Sequence, residues 1–88
     1  LQQNYPNPFN PKTEILFSLS KQDRASLRIY NINGQEVITL IDQNLSPGRH
    51  NISWSGINAK GHPVSTGMYF YKLKVGEIVH QKKLLLLR

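Results

Sequence analysis

The chain of 88 residues contains no cysteine, so it has neither a disulfide staple nor a thiolate site, and zinc fingers and thiol enzymes are excluded. A compact fold must be held by aliphatic and aromatic packing alone. Acids are scarce: Glu14, Asp23, Glu36, Asp42 and Glu77 stand against eleven lysines and arginines, for a net charge of +6. The basic residues are spread along the chain, which fits a solvated face rather than a nucleic-acid patch, although the summed field still attracts anionic surfaces. The longest aliphatic run is residues 84–87, far short of the about 20 residues a helix needs to span a bilayer. The first twenty positions lack the pattern of a signal peptide and the first residue is leucine, so the chain reads as a domain excised from behind something larger. At this length there is room for one core.

Helix signals are also nearly absent, and strand signals recur at short spacing. Residues 13–19 put Ile15, Phe17 and Leu19 on one face; residues 25–32 put Leu27 and Ile29 on one face and Arg28 and Tyr30 on the other. Asn33 followed by Gly34 predicts a type I′ hairpin turn, with a strand over 35–41 returning antiparallel. Pro47 and Gly48 mark the next turn, after which Ile52 and Trp54 share a face; Trp54 is the leading core anchor. Residues 56–67 have loop composition with a short strand at 63–65. Tyr69, Tyr71, Leu73 and Val75 then alternate along 68–75, and Gly76 turns the chain into 77–87, where leucine appears on both faces. The expected class is all-β, an immunoglobulin-like β-sandwich of about seven short antiparallel strands over residues 13–88, behind a lead-in over residues 1–12.

Chemistry is hard to find. His50, His62 and His80 and the five acids show no metal-ligand spacing, and no nucleophile elbow or phosphate-cradling loop is present. No cofactor and no catalysis are expected. Four tyrosines and one tryptophan raise the idea of a carbohydrate platform, but Trp54, Tyr69 and Tyr71 fall on the core face, leaving Tyr5, Phe9, Tyr30 and Phe70 ambiguous.

The most individual stretch is Asn4, Tyr5, Pro6, Asn7, Pro8, Phe9, Asn10 and Pro11. Each proline fixes its own φ and biases the residue before it toward extended conformations, so the segment reads as a stiff lead-in, either a linker or a signature. Taken with Thr13, Ile15, Phe17, Ile29, Tyr30, Gly34, Val37, Gly48, His50, Trp54, Gly56, Gly61, Gly67, Tyr69, Tyr71 and the terminal Lys83, leucines and Arg88, it resembles the type A C-terminal sorting domain of the type IX secretion system. That family is related in fold to the immunoglobulin-like domain of flagellar hook-capping proteins. Ser55 and Asn58 stand where the family commonly has aspartates, which leaves no basis for a cation site there.

The resemblance implies a non-catalytic address tag on a larger secreted passenger of the Bacteroidetes type. The passenger would pass through the periplasm and reach the outer-membrane surface or the exterior. The implied partners are the outer-membrane translocon, a sortase-like peptidase and the upstream passenger domain, with no nucleic acid and no membrane span. Leu1, Gln2, Gln3, Asn4 and Tyr5, or the linker before them, form the implied cut region, with the prolines holding that junction away from the sheet. A strand apolar on both faces can add to another sheet by its edge, so Lys82, Lys83, Leu84, Leu85, Leu86, Leu87 and Arg88 are the candidate recognition residues, and an exposed edge can also pair two copies. The competing expectation is a structural or glycan-binding immunoglobulin-like accessory module of a secreted hydrolase.

Overall fold

A computed structural model describes residues 1–8 and 12–88; Phe9, Asn10 and Pro11 lie outside the described residues. Among the described residues six strands form in chain order: β1 Thr13–Leu19, β2 Asp23–Asn31, β3 Glu36–Leu45, β4 Gly48–Trp54, β5 Gly67–Val75 and β6 Ile78–Leu86. They make two antiparallel layers, one of β1 and β4 and one ordered β3-β2-β5-β6. The architecture is the immunoglobulin-like sandwich with six strands rather than about seven. The expected short strand at 63–65 is reduced to an isolated bridge between Ile57 and Pro63, because the glycine-rich segment turns too often to sustain a ladder.

Alternation decides which side chains meet between the layers. Ile15 and Phe17 of β1 and Trp54 of β4 face Leu27 and Ile29 of β2, Tyr69, Tyr71 and Leu73 of β5, and Leu84 and Leu86 of β6, all buried. The Trp54 and Tyr69 rings meet edge to face, with centroids 5.4 Å apart and planes at 72°. The indole N–H donates to the Ile57 carbonyl at 2.8 Å, so the largest side chain of the core brings no orphaned donor with it.

The β2–β3 connection differs from the expected type I′ turn. Gly34 has φ of 81°, but no non-glycine residue among those described has positive φ, so Asn33 does not take the left-handed conformation a type I′ turn demands. The loop instead has three residues: the Gly34 N–H donates to the Asn31 carbonyl and the Asn31 N–H to the Gln35 carbonyl, both at 3.0 Å. Asn31 explains the preference, since its Oδ1 accepts from the N–H of both Asn33 and Gln35. β3 also runs to Leu45, beyond the expected 35–41, with two register shifts against β2. Its polar extension lacks apolar alternation, but Asp42 is held there by Arg24 at 3.0 Å and Arg28 at 3.1 Å.

The described start of the proline-rich segment does not stand clear of the sheet. Tyr5 bridges to Glu14 in both directions (3.0 and 2.9 Å), and the Gln2 N–H donates to the Leu16 carbonyl at 3.0 Å, so residues 2–5 line the edge of β1. The Tyr5–Pro6 and Asn7–Pro8 peptide bonds are cis. Residues 2–5 thus dock on the sandwich, where the local chain physics alone suggested a spacer.

Candidate functional site

β6 lies at the edge of the four-stranded layer, and the strand divides in two. Ile78, Val79, His80 and Gln81 are all exposed, with Ile78 and Val79 at 62% and 55%. From Leu84 onward the inward side chains are sealed: Leu84 and Leu86 are fully buried, while Leu85 is half-buried and Leu87 is exposed. The expected two-sided leucine strand is therefore one-sided in its packing. Lys82 is half-buried and Lys83 exposed, and neither has a carboxylate within 4.0 Å among the described residues.

The backbone of that edge divides in the same way. The Lys83 carbonyl accepts from Gln3 Nε2 at 2.8 Å and the Leu85 N–H donates to Asn7 Oδ1 at 3.0 Å, so the odd-numbered residues aim outward and their even neighbours pair with β5. By the same alternation Val79 and Gln81 present their N–H and C=O groups outward. Among the described residues nothing pairs with those groups, which makes this the free stretch of edge. A cavity of about 470 Å³ beside it, lined by Leu1, Leu19, Leu73, Val75, Ile78 and His80 among others, marks where the two layers part.

Between β1 and β6 the amino-terminal segment closes the seam through one buried polar junction. The Tyr71 hydroxyl donates to the Gln2 carbonyl at 2.8 Å and accepts the Asn4 N–H at 2.9 Å. Asn4, only 2% exposed, donates through Nδ2 to Thr13 Oγ1 at 2.9 Å and to the Pro6 carbonyl at 3.0 Å; Thr13 Oγ1 donates to the same carbonyl at 2.8 Å. Gln3 Nε2 also donates to Asn4 Oδ1, at 2.7 Å. Burial holds the Tyr71 phenol above its ordinary value of 10.0, and the Asn4 N–H offsets part of that shift by favouring the anion. Burying Asn4 without this set of partners would cost about 1–3 kcal/mol, which is why an asparagine here needs Thr13 and Pro6 beside it.

The last residue is also tied down. The Arg88 N–H donates to Thr66 Oγ1 at 2.9 Å, and its guanidinium donates to the Val64 and Gly56 carbonyls. Gly56 makes room for this: its φ is +72°, and a Cβ there would stand 2.7 Å from the Arg88 guanidinium. The sequence marks Arg88 as a terminal basic residue, whereas the structure makes it a clasp between β6 and the 56–67 loop.

The remaining sequence candidates are placed as follows. Leu1 is half-buried and Gln2, Gln3 and Tyr5 are exposed, Tyr5 at 77%. Pro6, Asn7 and Pro8 are exposed on the outer side of the seam. Gly34 closes the β2–β3 loop, Gly67 begins β5, and Trp54, Tyr69 and Tyr71 are core, which removes them from any carbohydrate platform. Asn58 accepts from the N–H of Lys60 and His62, holding the loop in which aspartate would be the family's residue. Among the described residues no three His, Asp or Glu side chains gather into a metal-binding group. Sequence reasoning missed Gln3 and Asn7 as caps of β6, because their partners lie 80 and 78 residues away and no local pattern announces them.

Residues 3–87 match the family described as the secretion system C-terminal sorting domain. The chain belongs to this family. No curated protein matches it in sequence. Among solved structures, the sandwich is similar to part of dimeric latent PorU from Porphyromonas gingivalis (TM-score 0.76, 16% identity), covering 97% of this chain and 9% of that one. It is also similar to part of PorZ, described as a surface component of the type-IX secretion system of the same bacterium (TM-score 0.63, 18% identity, 98% and 11% covered). Truncated FlgD from Helicobacter pylori is a third likeness (TM-score 0.63, 23% identity, 94% and 63% covered). At these identities the likeness is one of fold, and the chain spans about a tenth of the first two proteins. As a type IX sorting domain, it belongs to a secreted or cell-surface protein. Among the described residues no helix is long and apolar enough to cross a membrane.

Proposed function

We propose that the domain is a non-catalytic C-terminal sorting signal that directs an upstream passenger through the periplasm and across the outer membrane by the type IX apparatus. A sortase-like peptidase then cuts in or before residues 1–5, leaving the passenger at the surface or free outside the cell. The observation that carries this reading is the match to the sorting-domain family over residues 3–87. The translocon reads the domain along β6 by strand addition: Val79 and Gln81 supply the open backbone groups, Lys82 and Lys83 steer, and Leu87 adds apolar contact. Leu84, Leu86 and Arg88 serve recognition by holding the strand in place, since the leucines are core and the arginine is clasped. The half-buried Leu85 lies between the two roles.

The test is export of a reporter that carries a signal peptide and ends in this domain, in a type IX host. Gln81→Pro removes an outward N–H that the fold does not use and an edge strand tolerates, yet it blocks an added strand. Wild-type export with a drop of at least about tenfold for Gln81→Pro, in a domain that still folds, is the expected outcome. A wild-type reporter retained in the periplasm defeats the sorting function. Equal export of both defeats the edge as the recognition element.

A further inference from the structure

Residues 1–7 serve two strands at once. Their backbone pairs with β1 at Glu14 and Leu16, and the side chains of Gln3 and Asn7 satisfy the outward groups of β6 at Lys83 and Leu85. Tyr71, which lies outside the segment, bonds Gln2 and Asn4 from the core side. We propose that this segment is a displaceable strand filling the seam between β1 and β6, and that its release is the one step that opens both the upper edge of β6 to a partner's strand and the bonds between Gln2 and Tyr5 to a peptidase. This rests on the sorting function proposed above, but it is tested separately.

Peptidases bind their substrates extended, with the backbone groups around the cut free to pair. In the docked segment those groups are taken: the N–H of Gln2, Asn4 and Tyr5 and the carbonyls of Gln2 and Tyr5 are all bonded to the sandwich. Cutting there requires local opening, and its rate follows the open population when closing outpaces cleavage. The same opening frees the Lys83 carbonyl and the Leu85 N–H, extending the open edge from Val79 and Gln81 up to Leu85. The segment is suited to leaving, because Asn4 is its one buried side chain, Leu1 is half-buried, and Gln2, Gln3, Tyr5, Pro6, Asn7 and Pro8 are exposed. Hydrogen bonds hold it more than apolar packing does. The occupant that replaces it is an extended strand of the secretion apparatus. An acidic strand is favoured, because Lys82 and Lys83 stand on that edge without a carboxylate beside them.

The experiment is limited proteolysis of the intact domain with cut sites mapped by mass, alongside hydrogen exchange at the Leu85 and Ile29 amides. In the wild type, cleavage between residues 2 and 5 is at least about tenfold slower than in a free peptide of residues 1–12. Tyr71→Phe deletes two bonds and raises both that cleavage and Leu85 exchange by roughly tenfold, leaving Ile29 protected. Gln3→Ala, at an exposed position, deletes the bonds to the Lys83 carbonyl and to Asn4 Oδ1 and raises both by roughly fivefold while leaving every apolar core side chain in place. The proposal fails if the wild-type segment is cut as fast as the free peptide, or if cleavage rises while Leu85 exchange does not. It also fails if Tyr71→Phe unfolds the whole domain and Gln3→Ala changes neither rate. None of these outcomes depends on export, so a failure of the sorting function is read separately, in the reporter assay.

Discussion

The two halves of β6 are built from adjacent residues of one strand and are held in opposite ways. Ile78, Val79, His80 and Gln81 pair with β5 on one side and offer nothing else to the fold: their side chains are exposed and the outward backbone groups are open. From Lys83 onward the strand is bonded on both edges and packed through Leu84 and Leu86, and just beyond it Arg88 clasps the neighbouring loop. The sequence is more hydrophobic in the second half, but hydrophobicity alone does not separate the halves, since Ile78 and Val79 are apolar as well. What separates them is whether another layer stands opposite. Leu84 and Leu86 face the sandwich interior; Ile78 falls where β1 has already ended and the layers part. Attachment belongs to the second half, and availability to the first.

The sharpest way to break that contrast is truncation of inward side chains at each end. Leu84→Ala should cost about 2–5 kcal/mol in urea unfolding, whereas Ile78→Ala should stay within about 0.5 kcal/mol. Equal costs would mean that the exposed half is part of the core after all. A smaller effect is expected at the clasp: Arg88→Ala removes side-chain bonds to the Gly56 and Val64 carbonyls and should cost about 1–2 kcal/mol by the same measurement. Removing the arginine also takes away the group nearest a Cβ at position 56, so Gly56→Ala should cost less in the Arg88→Ala background than in the wild type; additive costs would show that the two do not interact.

The smallest effect is a matter of pH. The Tyr71 phenol titrates above 10.0 in the folded domain, so the folded state favours the neutral form. Its contribution is complete below pH 10.0 and is lost as pH rises from there through the folded value. Tyr71→Phe, less stable by about 1–2 kcal/mol at neutral pH, should lose stability less steeply than the wild type above pH 10 when unfolding midpoints are compared across the alkaline range. Parallel slopes would remove Tyr71 from the seam's energetics.

Much of the sandwich is legible in the sequence because period-two alternation records which face is buried. Ile15 and Phe17, Leu27 and Ile29, and Tyr69, Tyr71 and Leu73 all lie inward as their spacing requires. The turn at Gly34 is legible as to place but not as to type, because the deciding partner is the Asn31 side chain rather than the dipeptide itself. The end of β3 is obscured by an ion-paired polar ladder that carries no alternation. The seam was the least readable part. Proline fixes local dihedrals and says nothing of docking, and the partners of Gln3, Asn4 and Asn7 on β5 and β6 lie 67–80 positions away. The edge strand itself was recognisable from its leucines, while its division into a held half and an open half depends on where the opposite layer stops.

The single tryptophan gives the domain an optical consequence of its own packing. Trp54 is 1% exposed; its indole N–H donates to the Ile57 carbonyl and its ring meets the Tyr69 side chain edge to face. Its emission therefore reports the water content of the core, staying blue while those neighbours hold and shifting red when the layers separate. A folded and a melted sandwich thus give different colours from the same fluorophore, with no label added.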